Sequence, residues 1–180
     1  MGRGAWVADI RRATGQSLRL PKEVSYSDRP SGEVRELCRP VVRSNPMSGL
    51  RDDAAAVTRV LEDYYRAFST LDVQAILPYY HEPSLLVTPQ GVAAMPTHAA
   101  LVAVIAPGME HFRGQGYARS ELTMLHVKVL SSSTALAAGI AVRYKTDAQE
   151  LDRAGVTYLL QKVDAGWKIV AVVIHDADRV

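Results

Sequence analysis

The segment from Val57 to Val87 constrains the fold most, because its periodicity changes from helix to strand within one short stretch. Apolar residues first recur every three or four positions, which places one set on a single helical face: Val57, Leu61, Tyr64, Phe68 and Leu71. This spacing predicts a helix over Asp53–Thr70. Asp72 suits the N-cap of a second helix over Val73–Tyr80, and the next apolar run, Ser84–Thr88, predicts a strand.

The second half of the chain is predicted to be one more helix, capped by Thr97, followed by a sheet. The β-prone stretches are separated by turn signals and cover Leu122–Leu130, Ala135–Lys145, Gly155–Val163 and Trp167–Asp176. Short hairpin turns favour antiparallel pairing. The order of elements therefore predicts an α+β fold, a cone in which three N-terminal helices pack on a strongly curved, mostly antiparallel sheet. Such a cone usually encloses a ligand pocket.

Two of these strands carry further expectations about orientation. The stretch Ala135–Lys145 alternates strictly, with one apolar set on a single face: Leu136, Ala138, Ile140, Val142 and Tyr144. We expect Tyr144 to point toward the interior of the cone or toward a partner subunit, with Arg143 on the opposite face. The stretch Trp167–Asp176 is apolar on both faces until near its end, which predicts a central or well-covered strand.

The first 46 residues lack sustained periodicity and are interrupted by prolines at positions 21, 30, 40 and 46. They hold nine Lys or Arg against five Asp or Glu, a net charge of +4, so the total of +2 leaves −2 for the remainder. We predict that residues 1–46 form a disordered or loosely attached basic extension and that residues 47–180 form the domain. Met47 is then a natural start site.

Several classes of function are disfavoured by composition and motifs. No apolar run approaches the roughly 18 residues of a membrane span, and no secretory signal is recognisable, so neither a membrane nor secretion is expected. The lone Cys38 favours the cytoplasm. No phosphate-binding or dinucleotide motif appears, and the histidines lack metal-site spacing, so we predict no cofactor and no metal. Scattered basic residues without aromatic neighbours predict no nucleic-acid partner.

From about Leu50 to Asp176 the chain resembles the SnoaL-like branch of the nuclear transport factor 2-like superfamily, which has the cystatin-like fold. The matching segments are YYRAFSTLD, VQAILPYY, SLLVTP and VTYLLQKVDAGWKIVAVVIHD. The resemblance implies a homodimer formed through the sheet. It leaves the activity open, because the superfamily includes isomerases, cyclases, dehydratases, dioxygenase subunits and non-catalytic binding modules.

Comparison with the ketosteroid isomerases of that superfamily tests one activity. Their oxyanion-hole tyrosine precedes an aspartate by eight residues, as Tyr64 precedes Asp72 here. Their catalytic carboxylate lies just before a proline, where this chain has Thr88 before Pro89. The strand VTYLLQKV also lacks the second carboxylate of that site. The resemblance therefore does not imply isomerase activity of this type.

The catalytic residues are unknown, and the candidates are Tyr64, which could polarise a carbonyl, and His175, which could move a proton. If His175 continues the phase of Trp167 and Ile169, it lies on an apolar face; the alternative is a partly exposed histidine at a strand end. Tyr65 is a weaker candidate than Tyr64 for a side chain that faces inward. The predicted ligand-binding residues are Tyr64, Phe68, Tyr80, His126, Tyr144, Tyr158 and His175.

Three functions remain open at this point. The first is a protein that binds a small hydrophobic molecule in a largely apolar pocket. The second is a proton-transfer enzyme of the isomerase, cyclase or dehydratase type that acts on a hydrophobic carbonyl substrate. The third is a non-catalytic dimerisation or interaction module. A titratable side chain facing an enclosed cavity is needed for the second function, whereas the first needs only the cavity.

Overall fold

The computed structural model describes residues 46–180, with side chains described from residue 49 onward. The predicted basic extension lies outside the described residues except for Pro46, which is the first residue of α1, and the start site at Met47 stays a prediction. The elements, in chain order, are α1 Pro46–Phe68, α2 Val73–Ile76, β1 Tyr80–Thr88, β2 Gly91–Met95, α3 His98–Gly114, β3 Tyr117–Ser131, β4 Thr134–Lys145, β5 Glu150–Val163 and β6 Gly166–His175.

The strands form one mixed sheet in the order β2-β1-β6-β5-β4-β3. β1 and β6 run parallel, and every other neighbouring pair is antiparallel. The predicted α+β class is thus confirmed, and β6 is central, as its two apolar faces indicated. The short strand β2 was not predicted, because its sequence GVAAM is rich in small residues and lies directly after a turn.

The helices follow their local signals with two differences. Asp72 caps α2, its side chain accepting a hydrogen bond of 2.9 Å from the backbone N–H of Gln74. Thr97 caps α3 in the same way, through Ala100. The predicted start of the first helix at Asp53 is wrong, because α1 begins at Pro46, a residue compatible with a first helical turn. The second helix ends at Ile76 and is followed by a 3-10 turn over Leu77–Tyr79, which contains Pro78.

The curvature of the sheet has a local cause in the middle of β3. Pairing between β3 and β4 slips between Thr123 and His126, where Met124 takes a left-handed backbone conformation with a φ of 51°. Gly139 lies opposite this bulge, and a Cβ atom there would lie 2.9 Å from the carbonyl oxygen of Thr123. Glycine is therefore required for the two strands to bend together at this point.

The core lies between the helices and the concave face of this sheet. α1 contributes Val57 and Leu61, both fully buried, and the sheet contributes Leu160 and Ile169. The inward residues of β4 are small: Ala135, Ala137, Gly139 and Ala141. Small side chains on a central strand leave room for a helix and for larger side chains from its neighbours.

The predicted interior position of the apolar set on β4 is wrong. The inward face carries the small residues and Arg143, which is 6% exposed, while Leu136, Ile140 and Tyr144 lie on the outer face. The alternation was visible in the sequence, but its direction was not, because the buried face uses alanines. The other alternative for Tyr144, contact with a partner subunit, stays a prediction.

Within residues 46–180, no helix is both long enough and apolar enough to cross a membrane.

Candidate functional site

A cavity of about 50 Å³ lies between the helices and the concave face of the sheet. Its wall is mostly apolar and aromatic. α1 provides Tyr64, Tyr65 and Phe68, α3 provides Ile105, Met109 and Phe112, and the sheet provides Tyr80, Leu86, Arg143, Val156, Tyr158, Val172 and Ile174. A space of this size holds about three or four water molecules or a ligand of few atoms.

Four tyrosines form two hydroxyl pairs in the cavity wall. The hydroxyl oxygens of Tyr64 and Tyr80 lie 3.1 Å apart, and those of Tyr65 and Tyr158 lie 2.8 Å apart. The Tyr64 ring makes edge-to-face contacts with the other three, with ring centroids 5.5–6.1 Å apart. The consecutive tyrosines of α1 thus each reach a different strand, Tyr64 toward β1 and Tyr65 toward β5.

Burial determines the protonation state of these hydroxyls. Loss of hydration raises the pKa of Tyr64 to about 12, although its bond to Tyr80 and the nearby charge of Arg143 act in the opposite direction. Burial likewise raises the pKa values of Tyr65, Tyr80 and Tyr158. The phenols are therefore neutral at physiological pH, where they can donate or accept hydrogen bonds but do not act as bases.

Arg143 is the one charged side chain among the described residues that line the cavity. Its Nη1 atom lies 2.9 Å from Oδ2 of Asp152 on the neighbouring strand β5, and its guanidinium lies 4.7 Å from the centroid of the Phe112 ring. On its other side, the paired residue on β3 is Ser120, whose Oγ lies 2.6 Å from the hydroxyl oxygen of Tyr117. A cation thus lies in the aromatic wall, held by a carboxylate and a ring.

Sequence reasoning missed Arg143 and Tyr65 as cavity residues. Arg143 was expected on the face opposite the apolar set, and that set was expected to point toward the interior of the cone or toward a partner subunit. The sequence did contain a signal for the inward position of Arg143, because this residue alternates along β4 with the small residues Ala137 and Ala141. Tyr65 was the weaker candidate for an inward side chain, yet it is 7% exposed, about the same as Tyr64 at 6%. A curved sheet surrounds α1 more widely than a flat one, so residues beside the apolar stripe are also buried.

The predicted ligand-binding residues divide into two groups. Tyr64, Phe68, Tyr80 and Tyr158 line the cavity together. His126 is exposed on β3, opposite Ala138. Tyr144 lies on the outer face of β4, where the guanidinium carbon of Arg119 is 4.3 Å from the centroid of the Tyr144 ring. Ligand binding by any of these residues stays a prediction.

His175 lies on the outer face because β6 contains a bulge. Leu160 pairs with Ile169 and Leu159 with Ala171, so Val170 is an extra residue that reverses the alternation. The condition of a phase shared with Trp167 and Ile169 therefore does not hold, and His175 is the partly exposed histidine at a strand end that the alternative predicted. The Nδ1 atom of His175 lies 2.9 Å from the carbonyl oxygen of Asp176, which only accepts, and its Nε2 lies 3.0 Å from the Thr157 hydroxyl.

The cavity wall consequently lacks a side chain suited to proton transfer at neutral pH. Its described residues include no carboxylate and no imidazole, and its phenols have raised pKa values. The described chain also contains no cluster of His, Cys, Asp and Glu residues arranged to hold a metal ion. What the wall provides is shape, hydroxyl groups and one positive charge.

Comparison with protein families agrees with this architecture. The profile of the family described as NTF2-like protein (DUF6841) matches residues 52–177. The chain belongs to this NTF2-like family. The match lies within the domain predicted over residues 47–180, and membership in the SnoaL-like branch stays a prediction. No curated protein sequence matches the chain significantly.

Solved structures share the fold at low sequence identity. An NTF2-like protein with a cystatin-like fold from Novosphingobium aromaticivorans is 17% identical, with a TM-score of 0.61 over 74% of this chain and 88% of that one. A putative aromatic ring hydroxylase from the same organism is 16% identical, with a TM-score of 0.52 over 70% and 90%. A putative calcium/calmodulin dependent protein kinase II association domain from Xanthomonas campestris is 16% identical, with a TM-score of 0.51 over 69% and 87%.

Proposed function

We propose that this NTF2-like protein binds a small molecule in the aromatic cavity and does so without acid–base catalysis. The observation that carries the proposal is the combination of apolar walls with two pairs of neutral phenols. Apolar surface supplies affinity, and a few fixed polar groups supply orientation, which is the usual composition of a small-molecule site. The lone Cys38 supports the cytoplasm as its location.

Proton-transfer catalysis is less well supported than binding. Tyr64 lies in the cavity wall and could donate a hydrogen bond to a carbonyl, but His175, the residue proposed to move the proton, lies on the other face of the sheet. The related fold of a putative aromatic ring hydroxylase does not alter this conclusion, because activity depends on the site and not on the fold.

A cavity-filling substitution tests the binding proposal. Ile174→Phe adds volume inside the cavity, whereas Val92→Phe adds a larger volume at a side chain that is 63% exposed. We expect wild-type protein to bind members of a small fragment library in ligand-observed NMR experiments. Ile174→Phe should weaken that binding by about tenfold or more, since overlap with a packed wall costs about 1–3 kcal/mol, and Val92→Phe should leave it unchanged.

Two results of this test would contradict the binding proposal. If wild-type protein bound no fragment, or if both variants bound equally well, the cavity would not be the binding site. Circular dichroism on each variant establishes that a loss of binding does not arise from unfolding.

We also propose that a second copy of the chain covers the outer face of the sheet. This face carries Leu136 on β4, Leu159 on β5 and Leu85 on β1, and the first and last are 36% and 40% exposed. Apolar side chains on one exposed sheet face are typical of interaction surfaces. A structural relative with the same fold is described as an association domain, which supports the proposal.

Light scattering coupled to gel filtration tests the homodimer. Leu136→Glu places a charge on the outer face, and Leu50→Glu places the same charge on α1 at a leucine of similar exposure, 44%. We expect a dimer for wild-type protein and for Leu50→Glu, and a monomer for Leu136→Glu, because a buried unpaired carboxylate disfavours association. A wild-type monomer at micromolar concentration would refute the proposal.

A further inference from the structure

We infer that the ligand of this cavity carries a carboxylate, which binds at Arg143. The inference rests on the proposed binding function and specifies its chemical class. Among the described lining residues, Arg143 is the only one with a charge, and its side chain is 7% exposed. A neutral hydrocarbon ligand would gain nothing from an arginine at this position, whereas a planar carboxylate matches the donor geometry of a guanidinium.

The position of Asp152 leaves the cavity side of Arg143 positive. Asp152 lies on β5 and its side chain is 30% exposed, so water screens its charge more than it screens that of the guanidinium. The field of Arg143 reaches the hydroxyl pairs, since its charge acts to lower the pKa values of Tyr64 and Tyr65 against the larger effect of burial. An anion inside the cavity would experience the same field at low effective dielectric constant.

The hydroxyl pairs complete the recognition of an anionic oxygen. Each pair contains two hydroxyl hydrogens, and one of them is donated within the pair, from Tyr64 to Tyr80 or the reverse and likewise between Tyr65 and Tyr158. The second hydrogen of each pair is thus able to point to a ligand oxygen. Because burial keeps these phenols neutral, they remain donors and do not repel an anion.

The dimensions of the cavity limit the rest of the ligand. About 50 Å³ accommodates a carboxylate with a short hydrocarbon chain. Ile105, Val172 and Ile174 belong to the apolar part of the wall, against which that chain would pack. The ligand class is therefore a short monocarboxylate, and propionate is a suitable probe because propionamide has the same shape without the charge.

The test is an NMR titration of isotope-labelled full-length protein with propionate and with propionamide at constant pH and ionic strength. We expect propionate to shift resonances of cavity residues and to bind at least about tenfold more tightly than propionamide, the factor for one charge-assisted contact. The double variant Arg143→Met/Asp152→Asn removes both charges together, so that neither remains buried alone. It should bind the two compounds equally.

A matched control is available on the outer face of the sheet. Arg119 and Glu121 also form an ion pair at 2.9 Å, and Arg119 also lies over an aromatic ring. Arg119→Met/Glu121→Gln should therefore retain the preference for propionate. If the variant at Arg143 fails to fold, the comparison of the two compounds on wild-type protein still decides the inference.

The remaining outcomes separate this inference from the binding proposal. If propionamide bound wild-type protein as tightly as propionate, or if the Arg143 variant kept the preference, the carboxylate inference would be overturned while the cavity remained a binding site. If neither compound bound while other fragments did, the inference would fail and the binding proposal would stand. If nothing bound, both would fail.

Discussion

The protein is expected to lose stability steeply as the pH rises from about 10 to about 12. The cause is the group of four buried phenols, Tyr64, Tyr65, Tyr80 and Tyr158, whose pKa values burial raises. In the unfolded chain the same phenols ionise near their ordinary pKa of about 10. Above that value the unfolded state releases protons that the folded state retains, so alkaline pH favours unfolding.

The sign and the size of this pH dependence follow from the pKa of Tyr64. Its pKa rises from 10.0 to about 12 in the folded state, so its contribution to stability is fully present below pH 10.0 and is lost as the pH rises through that interval. At about 1.4 kcal/mol per pKa unit, this one phenol lowers the free energy of unfolding by about 3 kcal/mol as the pH rises through that interval. The other three phenols act in the same direction and steepen the loss.

Urea unfolding at a series of pH values measures this effect. Tyr64→Phe should lower stability at neutral pH, since it leaves the Tyr80 hydroxyl without its partner. It should also reduce the alkaline slope by about 1.4 kcal/mol per pH unit, because one retained proton is gone. Tyr144→Phe, which removes a hydroxyl on the outer face, is the matched control for the change in side chain. A wild-type stability that stayed level up to about pH 12 would contradict the prediction.

Gly155→Ala is expected to destabilise the protein by about 2–3 kcal/mol. A Cβ atom at this position would lie 2.3 Å from Nδ1 of His175 and 2.5 Å from the carbonyl oxygen of Asp176. Both distances are below van der Waals contact. The imidazole ring covers the glycine, and its bonds to Thr157 and to the Asp176 carbonyl hold it there, so relief requires movement of the strand end.

Thermal unfolding tests the prediction, with Gly114→Ala as the matched control because its added methyl group meets open space. The second variant, Gly155→Ala/His175→Ala, removes the ring but not the backbone oxygen of Asp176 and should recover part of the loss. An unchanged melting temperature for Gly155→Ala would contradict the prediction, because the strand end would then move aside without loss of stability. If the double variant lost as much stability as Gly155→Ala, the steric clash would be with the backbone oxygen of Asp176.

The sequence predicted those features that depend on neighbours along the chain. The capping residues Asp72 and Thr97, the apolar stripe of α1 and the hairpins of the sheet each depend on a few adjacent positions, and the structure agrees. The direction of a strand face depends instead on what packs against it. Because the inward face of β4 carries alanines, the strand is apolar on both faces. Which face is buried then depends on packing against α1, and the local pattern of the strand does not contain that information.

The same distinction explains the contents of the cavity wall. Tyr64 and Phe68 belong to a helical stripe that periodicity reveals, and both line the cavity. For His175 the sequence left two positions open, an apolar face and a partly exposed strand end, and the extra residue Val170 in β6 produces the second. Arg143 alternates with the inward alanines of β4, but the residues that flank it, Ser120 and Asp152 on the two neighbouring strands, are set by register over long chain separations.

The parallel contact between β1 and β6 has a consequence for synthesis. The hairpin of β1 and β2 leaves the ribosome early, yet β6, its only neighbour on the other side, is the last of the six described strands to be made. Until then the hairpin has an unpaired edge, and such edges invite association between nascent chains. Chains truncated before Gly166 would leave that edge permanently unpaired and should accumulate as insoluble material.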